Sequence, residues 1–314
     1  MNWSGVMPAM TTAFDSSLAV DHNFMAQHAT WLLDNGCSGL VMLGSLGEGA
    51  TLDAAEKVAI LKHTVKTVAG RAPVVAAISS LSTAHAVTLA KEAEQAGCAA
   101  LMVLPPYIYS TDWREMKQHV SSVIAATPLP CMLYNNPVAY TTDFLPPQIA
   151  ELAQQHSNLE AVKESSADVR RVTAIRAVLS GRLAISVGVD DAIVEGVGAG
   201  AGGWIAGLVN AFPAESVQLF NLALTGNAAE AFPLYRWFLP LLRMDTVPKF
   251  VQLIKWVQSE MGIGSARVRG PRMELAGAEL AAAQQVLATA LKDRPQVAEV
   301  KFRSFVSRAA LAWS

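Results

Sequence analysis

The 314-residue chain has little charge: Asp, Glu, Lys and Arg make up 16% of it, and the formal net charge is −2. This composition lacks the basic footprint of a nucleic-acid-binding protein. The apolar runs are short and interrupted by Gly, Pro or charge, so none is long enough to span a bilayer. The first residues, MNWSGVMPAM, lack the basic-then-apolar order of a signal peptide. These absences predict a cytoplasmic protein with neither a membrane nor a nucleic-acid partner.

Cysteine is scarce as well. The three cysteines, Cys37, Cys98 and Cys131, are far apart, lie in or beside apolar segments and show no metal-ligand spacing. The six histidines contain no HExxH pair. We therefore expect reduced thiols in the core and no metal site.

Apolar residues are abundant, at 52% of the chain, which suits a sheet covered on both faces. Segments with helical periodicity separate most of the short apolar runs, and Asp53 and Gly70 bound one such segment. Strands alternating with helices at roughly 30-residue spacing are typical of an α/β (β/α)8 TIM barrel, which we assign to residues 1–223. A doubly wound open sheet is the alternative, but it would need a topological switch point. The eight runs are GVMPAMTT, GLVMLGS, PVVAAIS, AALMVLP, PCMLYN, LEAVKES, LAISVG and GWIAGLV.

The strand pattern stops after about Ala223, where the sequence becomes typical of helices, as in PKFVQLIKWVQSEMG and ELAAAQQVLATALK. Residues 224–292 are predicted to form a C-terminal helical extension on or beside the barrel. Residues 293–314 are more basic and poorly patterned, and we assign this tail no role.

One glycine-rich stretch, GAGAGG at residues 198–203, contains GxGxxG. The dinucleotide-binding fingerprint requires a strand before the glycines and a helix after them. Here a helical pattern precedes and a strand pattern follows. We interpret the stretch as a tight helix-to-strand connection.

Functional residues of a (β/α)8 barrel lie at the C-terminal ends of the strands and in the loops that follow. Tyr134 and Lys163 fall on adjacent strands, which are about 4.8 Å apart, so their side chains can share one pocket. The residues selected by this rule are Thr11, Thr12, Ser45, Glu48, Tyr107, Tyr134, Asn135, Lys163, Glu164 and Gly188.

Lys163 ends an apolar run, and two interpretations remain open. In the first, the strand ends there and the lysine only pairs with Glu164 or Asp168. In the second, the amine lies in an apolar barrel mouth, where desolvation favours its neutral form, and attacks a ketone to form an imine. The protonated imine withdraws electrons, so a neighbouring C–C bond can break or form, or a hydroxyl or amine can be eliminated. Tyr134 could relay protons, and Ser45 could link that phenol to solvent or to a neighbouring phenol.

Three segments, GSLGE at Gly44–Glu48, YNNP at Tyr134–Pro137 and VKES at Val162–Ser165, carry a resemblance. In this order and at these spacings they resemble the dihydrodipicolinate synthase / N-acetylneuraminate lyase family of class I aldolases. The resemblance runs from about Trp3 to Leu291 and includes VLPPY, VGVDD and RGP. It implies a TIM-barrel enzyme that needs no cofactor, because its own lysine forms a Schiff base with a small 2-oxo acid such as pyruvate.

The resemblance also implies catalytic roles. Lys163 matches the Schiff-base lysine, Tyr134 the proton-relay tyrosine and Ser45 the hydroxyl of the relay. Tyr107 stands where family members send a tyrosine into a neighbouring subunit's site, which implies a homodimer or homotetramer.

Substrate-binding positions follow from the same resemblance. Gly188 and Ile205 match residues that line the pocket near the 2-oxo-acid carboxylate. Leu46 replaces the usual Thr of the first motif, which removes a hydroxyl, but the backbone N–H groups of the Leu46-Gly47 segment can still hold that carboxylate. Ala139 replaces the Arg by which dihydrodipicolinate synthases bind the carboxylate of the semialdehyde, so a charge-assisted contact is lost.

Two acidic residues, Asp190 and Asp191, follow the seventh run, where many barrels bind phosphate. They disfavour a phosphorylated substrate, but a helix N-cap followed by a first-turn acid explains them equally well.

The combination of YNNPVxY with KESSxDVRR is similar to a subgroup of 1-pyrroline-4-hydroxy-2-carboxylate deaminases of hydroxyproline breakdown. There the lysine takes up the cyclic imine, and water and ammonia leave. The alternatives are dihydrodipicolinate synthase and a pyruvate-dependent aldolase of the 4-hydroxy-2-oxoglutarate or sugar-acid type. A binding or regulatory protein on a decayed barrel would have lost the lysine or the tyrosine, and both are present.

Overall fold

The computed structural model describes residues 1–106 and 112–302. Its strands form one all-parallel sheet in the order β1-β8-β7-β6-β5-β4-β3-β2, and a parallel bridge between Ala9 and Val41 closes the ring. The predicted (β/α)8 barrel is confirmed, and the open doubly wound sheet is wrong. The strands are β1 (Gly5–Pro8), β2 (Leu40–Met42), β3 (Val74–Ile78), β4 (Ala100–Val103), β5 (Cys131–Asn135), β6 (Leu159–Glu164), β7 (Ala184–Val187) and β8 (Gly203–Ala206).

Helices follow the strands around the outside of the barrel, and further helices extend the chain after β8. The α-helices of the described residues are α1 (His22–Asp34), α2 (Ala54–Val68), α3 (Thr83–Gln95), α4 (Trp113–Ile124), α5 (Pro137–Tyr140), α6 (Pro146–Gln155), α7 (Arg170–Leu179), α8 (Ile193–Gly198), α9 (Pro213–Leu224), α10 (Ala228–Leu242), α11 (Phe250–Glu260) and α12 (Gly277–Lys292). Short 3-10 turns occupy Gly49–Thr51, Asp190–Ala192, Leu208–Asn210 and Arg243–Asp245.

Helix α2 shows how local sequence sets an element's ends. The Asp53 carboxylate accepts from the Glu56 N–H at 2.8 Å, and the Glu56 carboxylate accepts from the Asp53 N–H at 3.0 Å. This capping box satisfies N–H groups that have no partner inside the helix. The helix ends at Ala69 and Gly70, both in the left-handed region. The predicted start and stop are therefore confirmed.

The Gly-rich stretch lies between α8 and β8, so the helix precedes and the strand follows, as the sequence indicated. Cys37, Cys98 and Cys131 are buried and form no disulfide. Burial raises the pKa of the Cys98 and Cys131 thiols to about 12, which makes them inert core residues. No helix of the described ranges has the length and apolarity to cross a bilayer.

The core has two layers because successive strand residues point to opposite faces. One cluster of apolar side chains lies between the strands and the surrounding helices. A second cluster fills the barrel interior, and Val251 and Ile254 of α11 belong to it. The C-terminal extension therefore covers part of the barrel. The interior cluster includes Met7, Val75, Ala77, Met102, Met132, Ala161 and Ile205.

The register between β5 and β6 determines what the barrel mouth presents. A shift after Cys131 brings Tyr134 opposite Lys163 and Asn135 opposite Glu164. Since side chains alternate between faces, Tyr134 and Lys163 share the inner face.

The tail is held against α1 as far as residue 302. Asn35, the C-cap of α1, bonds both backbone groups of Val300, donating to its carbonyl at 3.0 Å and accepting from its N–H at 2.9 Å. Arg294 donates to the buried Glu215 carboxylate at 2.7 Å. The Phe302 ring stacks edge-on against Trp31, with centroids 5.5 Å apart.

Candidate active site

Lys163 and Tyr134 form the centre of the site. Both are buried, with 6% and 5% of their surface exposed, and the Lys163 Nζ lies 4.3 Å from the centroid of the Tyr134 ring. The carboxylates that could have neutralised the lysine are held elsewhere: Glu164 accepts from Asn135 and from the Ser166 N–H, and Asp168 pairs with Arg170. The interpretation in which Lys163 only pairs with Glu164 or Asp168 is wrong.

A second tyrosine joins this centre. The Tyr140 ring meets the Tyr134 ring edge-on, with centroids 5.7 Å apart, and its hydroxyl is hydrogen-bonded to the Ser45 Oγ. The Tyr134 hydroxyl accepts from the Asn136 Nδ2 at 2.9 Å. Ser45 thus contacts a neighbouring phenol, one of the partners considered for it. Tyr140 was quoted within YNNPVxY but received no role; the one-turn helix α5 carries it back over Tyr134.

Gly188, just after β7, leaves room for the lysine. A Cβ at this position would lie 2.8 Å from the Lys163 Cγ and closer still to the Lys163 Cε and the Ser165 Oγ. The lysine stem therefore runs across the bare Cα of Gly188. The structure places this predicted pocket residue in direct contact with Lys163.

The loop after β2 is tightly folded. Leu43 and Glu48 both have positive φ angles, of 67° and 53°, and a Cβ on Gly47 would lie 2.8 Å from the Met10 carbonyl. The Thr12 hydroxyl donates to the Gly47 carbonyl at 2.6 Å. Among the described residues nothing accepts from the Leu46 or Gly47 N–H, so both remain available to an anion.

Leu46 and Ile205 belong to the interior cluster that also contains Tyr134, and both are buried. Ala139 lies in α5, is exposed, and donates its N–H to the Asn136 side chain at 3.0 Å. The structure therefore brings Leu46 and Ile205 to the same cluster as Tyr134, and Ala139 is not part of it. Tyr107 lies outside the described residues.

Glu48 is not available to a substrate. Its carboxylate is fully buried and accepts from the Lys255 Nζ at 2.7 Å and from the Arg269 N–H at 3.0 Å. Lys255, also buried, donates to the Thr12 carbonyl at 2.9 Å, and burial lowers its pKa. This ion pair joins the β2 loop to α11. Glu48 lies in the loop after β2, where functional residues of a (β/α)8 barrel are expected. Its carboxylate nevertheless has a structural function.

Other candidates selected by the same rule are also held in internal bonds. The Thr11 hydroxyl donates to Gln258 of α11 at 2.9 Å. Asn135 donates to Asp143 and to Glu164, at 3.0 and 3.1 Å. Burial raises the pKa of Glu164. The side chains of Thr11, Asn135 and Glu164 therefore bind other protein groups and stabilise the site without lining it.

Asp190 is neither exposed nor the N-cap of its own helix. Its carboxylate accepts from the Trp204 Nε1 at 3.0 Å, the Gly207 N–H at 3.1 Å and the Leu208 N–H at 2.8 Å. Burial raises its pKa to about 6, and these donors and Lys163 oppose the shift. Asp191 lies 3.5 Å from the Arg243 guanidinium. The N-cap expectation is wrong, because Val189 occupies that position, whereas the first-turn acid is confirmed: Asp190 and Asp191 both lie in the first turn. The Asp190 carboxylate holds the loop after β8.

A closed parallel barrel with a buried lysine against a tyrosine at the ends of β6 and β5 defines a class I lyase or aldolase, which acts through a lysine Schiff base. Residues 2–290 match the Dihydrodipicolinate synthetase family. The chain belongs to this family.

Individual relatives agree with this assignment. The chain is 32% identical to 4-hydroxy-tetrahydrodipicolinate synthase of Bacillus subtilis over 77% of this chain and 84% of that protein. It is also 32% identical to the synthase of Mesorhizobium japonicum, over 85% of this chain and 91% of that protein.

Solved structures show the same barrel. The synthase of Methylacidiphilum fumariolicum SolV superposes with a TM-score of 0.89 at 26% identity, over 93% of this chain and 97% of that chain. A prophage protein of the family from Escherichia coli K12, YagE, solved in complex with pyruvate, gives a TM-score of 0.87 at 26% identity, over 93% and 99% of the two chains.

Proposed function

We propose that this enzyme deaminates 1-pyrroline-4-hydroxy-2-carboxylate to 2-oxoglutarate semialdehyde through a Schiff base on Lys163. The observation that carries the proposal is the buried Lys163 amine lying 4.3 Å from the centroid of the Tyr134 ring. No metal or separate cofactor enters this scheme, because the lysine imine itself draws electrons from the substrate.

The reaction begins when the Lys163 Nζ attacks C2 of the cyclic imine. The bond between C2 and the ring nitrogen breaks, which leaves a lysine imine at C2 and a free amine on C5. The imine acidifies C3, so a proton leaves C3 and the C4 hydroxyl departs as water. The double bond migrates to C4–C5 and then to an imine of C5, which water hydrolyses to the aldehyde and ammonia. Hydrolysis at C2 frees Lys163; one water is released and two are consumed.

Protons at these steps have a path. The Tyr134 ring lies beside the Lys163 Nζ, and its hydroxyl accepts from Asn136. The Tyr140 ring contacts the Tyr134 ring, and the Tyr140 hydroxyl is hydrogen-bonded to Ser45. We assign Tyr134 the transfers next to the imine. Ser45 and Tyr140 exchange protons beyond it. The free N–H groups of Leu46 and Gly47 hold the substrate carboxylate.

Several features oppose the lysine-biosynthesis reaction, in which pyruvate condenses with a second carboxylate-bearing substrate. Ala139 offers no charge where synthases have an arginine. The arginines that follow β6 are both engaged: Arg171 pairs with Asp143 at 2.9 Å and Arg170 with Asp168 at 2.7 Å. A second carboxylate would therefore lack its charge-assisted partner.

A pyruvate-using synthase or aldolase is the second candidate, and the relatives favour it. The Bacillus subtilis and Mesorhizobium japonicum relatives carry the synthase name. Under either candidate we place the enzyme among homodimers or homotetramers, in which Tyr107 reaches a neighbouring subunit's site, as the family resemblance implies.

A parallel assay separates the candidates. Purified enzyme is given 1-pyrroline-4-hydroxy-2-carboxylate with ammonia as the readout, pyruvate with aspartate semialdehyde, and 4-hydroxy-2-oxoglutarate with pyruvate as the readout. We expect rapid ammonia release and only traces of condensation or cleavage. The reverse pattern would contradict the deaminase and support the second candidate. The Lys163→Ala variant must lose whichever activity is found.

A further inference from the structure

Asn136, the third residue of the YNNP segment, lies directly after β5 and binds the phenol of Tyr134. Pro137 disfavours a helical backbone at the residue before it, so Asn136 stays outside α5 and serves as the N-cap of this short helix. Side chains two residues apart on an extended chain point to the same side. The Asn136 amide therefore reaches the phenol, and its Nδ2 donates to the Tyr134 hydroxyl at 2.9 Å.

The helix cap fixes which way round the Asn136 amide faces. Its Oδ1 accepts from the Ala139 N–H at 3.0 Å. A side-chain amide has one acceptor oxygen and one donor nitrogen. Turning the amide over would set its Nδ2 against the Ala139 N–H, so that two donors would face each other. The backbone of α5 thus holds an N–H donor, and not an acceptor, against the Tyr134 oxygen.

The phenol oxygen has few other partners. Within the described residues, Asn136 is the one hydrogen-bond partner found for it. Ser45, to which the family resemblance gives the relay hydroxyl, is bonded to the Tyr140 hydroxyl instead. Because Asn136 donates to the Tyr134 oxygen and takes no proton from it, the O–H hydrogen of the phenol remains free for the reacting groups. The Lys163 Nζ lies beside the same ring, 4.3 Å from its centroid.

A donor in this place acts while Tyr134 transfers a proton. Once the phenol has given up its proton, its oxygen carries a negative charge until a proton returns. A hydrogen bond to a charged oxygen is roughly twice as strong as one to a neutral oxygen. The Asn136 N–H therefore stabilises the charged form of the phenol more than the neutral form, which lowers the barrier to each transfer.

We propose that Asn136 is the positioning residue of the catalytic phenol: its amide orients the Tyr134 hydroxyl and stabilises the oxygen while its proton is away. The inference rests on the proposed function for one point, that Tyr134 makes the proton transfers next to the lysine imine. It does not depend on which substrate forms that imine. Both polar atoms of the Asn136 amide bind protein groups, so the residue sets the rate of proton transfer and not the affinity for substrate.

Exchange of the pyruvate methyl protons for deuterium in D2O, followed by NMR, measures these transfers directly, because the lysine imine acidifies C3. Wild type is compared with Asn136→Ser and Asn136→Asp, which both keep an oxygen that caps α5 and both lose the amide N–H. We expect the maximal exchange rate to fall about 10- to 100-fold with serine, the range for a hydrogen bond to a charged group. Aspartate should lower it further, because a carboxylate repels the charged phenol oxygen. The pyruvate concentration for half-maximal exchange should stay within about twofold.

A double-mutant cycle separates action through the phenol from an effect on the fold. In the Tyr134→Phe background, Asn136→Ser should slow the exchange no further, because the hydroxyl that Asn136 binds is gone. Asn227→Ser is the matched control: Asn227 also caps a helix through its side chain, at the start of α10. This variant should exchange pyruvate protons at the wild-type rate.

Three results would overturn the proposal. The first is wild-type exchange by folded Asn136→Ser and Asn136→Asp variants, and the second is an equal loss from Asn136→Ser with and without the Tyr134 hydroxyl. The third is the absence of exchange in wild type, because Tyr134 would then make no transfer for Asn136 to assist. If wild type exchanges pyruvate protons through Asn136 but releases no ammonia from 1-pyrroline-4-hydroxy-2-carboxylate, the proposed reaction fails and the assignment of Asn136 stands.

Discussion

Replacing Gly188 by alanine tests how closely the reactive lysine is positioned. The added Cβ would lie 2.8 Å from the Lys163 Cγ and closer to the Cε, whereas ordinary contact begins at 3.4 Å. The Ser165 Oγ blocks the same space. Gly188 does not have a left-handed backbone, so the substitution acts through this crowding and not through backbone strain.

The cost can be estimated from the side chains that must move. Forcing the lysine off its rotamer costs about 0.5–1.5 kcal/mol, and overpacking a core costs about 1–3 kcal/mol. A misplacement of about 1 Å at a reacting group can cost about 100-fold in rate. We therefore expect Gly188→Ala to slow pyruvate-dependent borohydride labelling of Lys163 about 10- to 100-fold, while Tm falls by a few degrees.

Gly198→Ala is the matched control, because a Cβ there meets nothing within 4 Å. It should label at the wild-type rate with an unchanged or slightly raised Tm. Wild-type labelling by a folded Gly188→Ala variant would refute the reasoning, since it would show that this contact does not fix the amine.

Other parts of the account lead to three further expectations. Tyr134→Phe should lower kcat about 100- to 10,000-fold, the usual share of a general acid–base group, with little change in Tm. Lys255→Met should lower the free energy of unfolding by about 3–5 kcal/mol in urea titrations, because it leaves the Glu48 carboxylate buried without its cation. Burial lowers the pKa of His28 to about 4 from 6.5, so the folded protein holds this imidazole neutral while the unfolded chain binds a proton. The contribution of the neutral imidazole to the free energy of unfolding is therefore complete above about pH 6.5. This contribution falls by about 3 kcal/mol in all as the pH drops toward 4.

One experimental result would contradict each of these three predictions. A Tyr134→Phe variant that keeps wild-type kcat would remove the phenol from the proton path. A Lys255→Met variant as stable as wild type would mean that Glu48 finds another partner or a proton. If His28→Gln loses stability between pH 6.5 and 4 as steeply as wild type, carboxylates and not His28 account for the acid sensitivity.

The sequence was sufficient to predict the barrel because each strand is a short apolar run bounded by Gly, Pro or charge. The same regularity identified Lys163 and Tyr134: both end such runs, and adjacent parallel strands bring their ends together. The N-terminal cap of α2 could also be predicted from the sequence, because Asp53 and Glu56 lie within four residues of each other.

Contacts between residues that are far apart in the sequence could not be predicted from such local patterns. Glu48 satisfied the barrel rule, and only the structure reveals Lys255, 207 residues further on, as its partner. Asp245 belongs to a segment that looked purely helical, and nothing local indicates that its carboxyl group lies against the Cα of Gly207. Tyr140 lay inside a quoted motif, but its contact with Ser45 depends on the one-turn helix α5.

The most direct test of the central claim is the site of borohydride labelling in the presence of pyruvate, mapped by peptide mass spectrometry. We expect one reduced pyruvate on the peptide that contains Lys163. Lys255, a second buried lysine that is bound to Glu48 at 2.7 Å, should carry none. An enzymatically active preparation with no label on Lys163, or with the label on another lysine, would contradict the Schiff-base account.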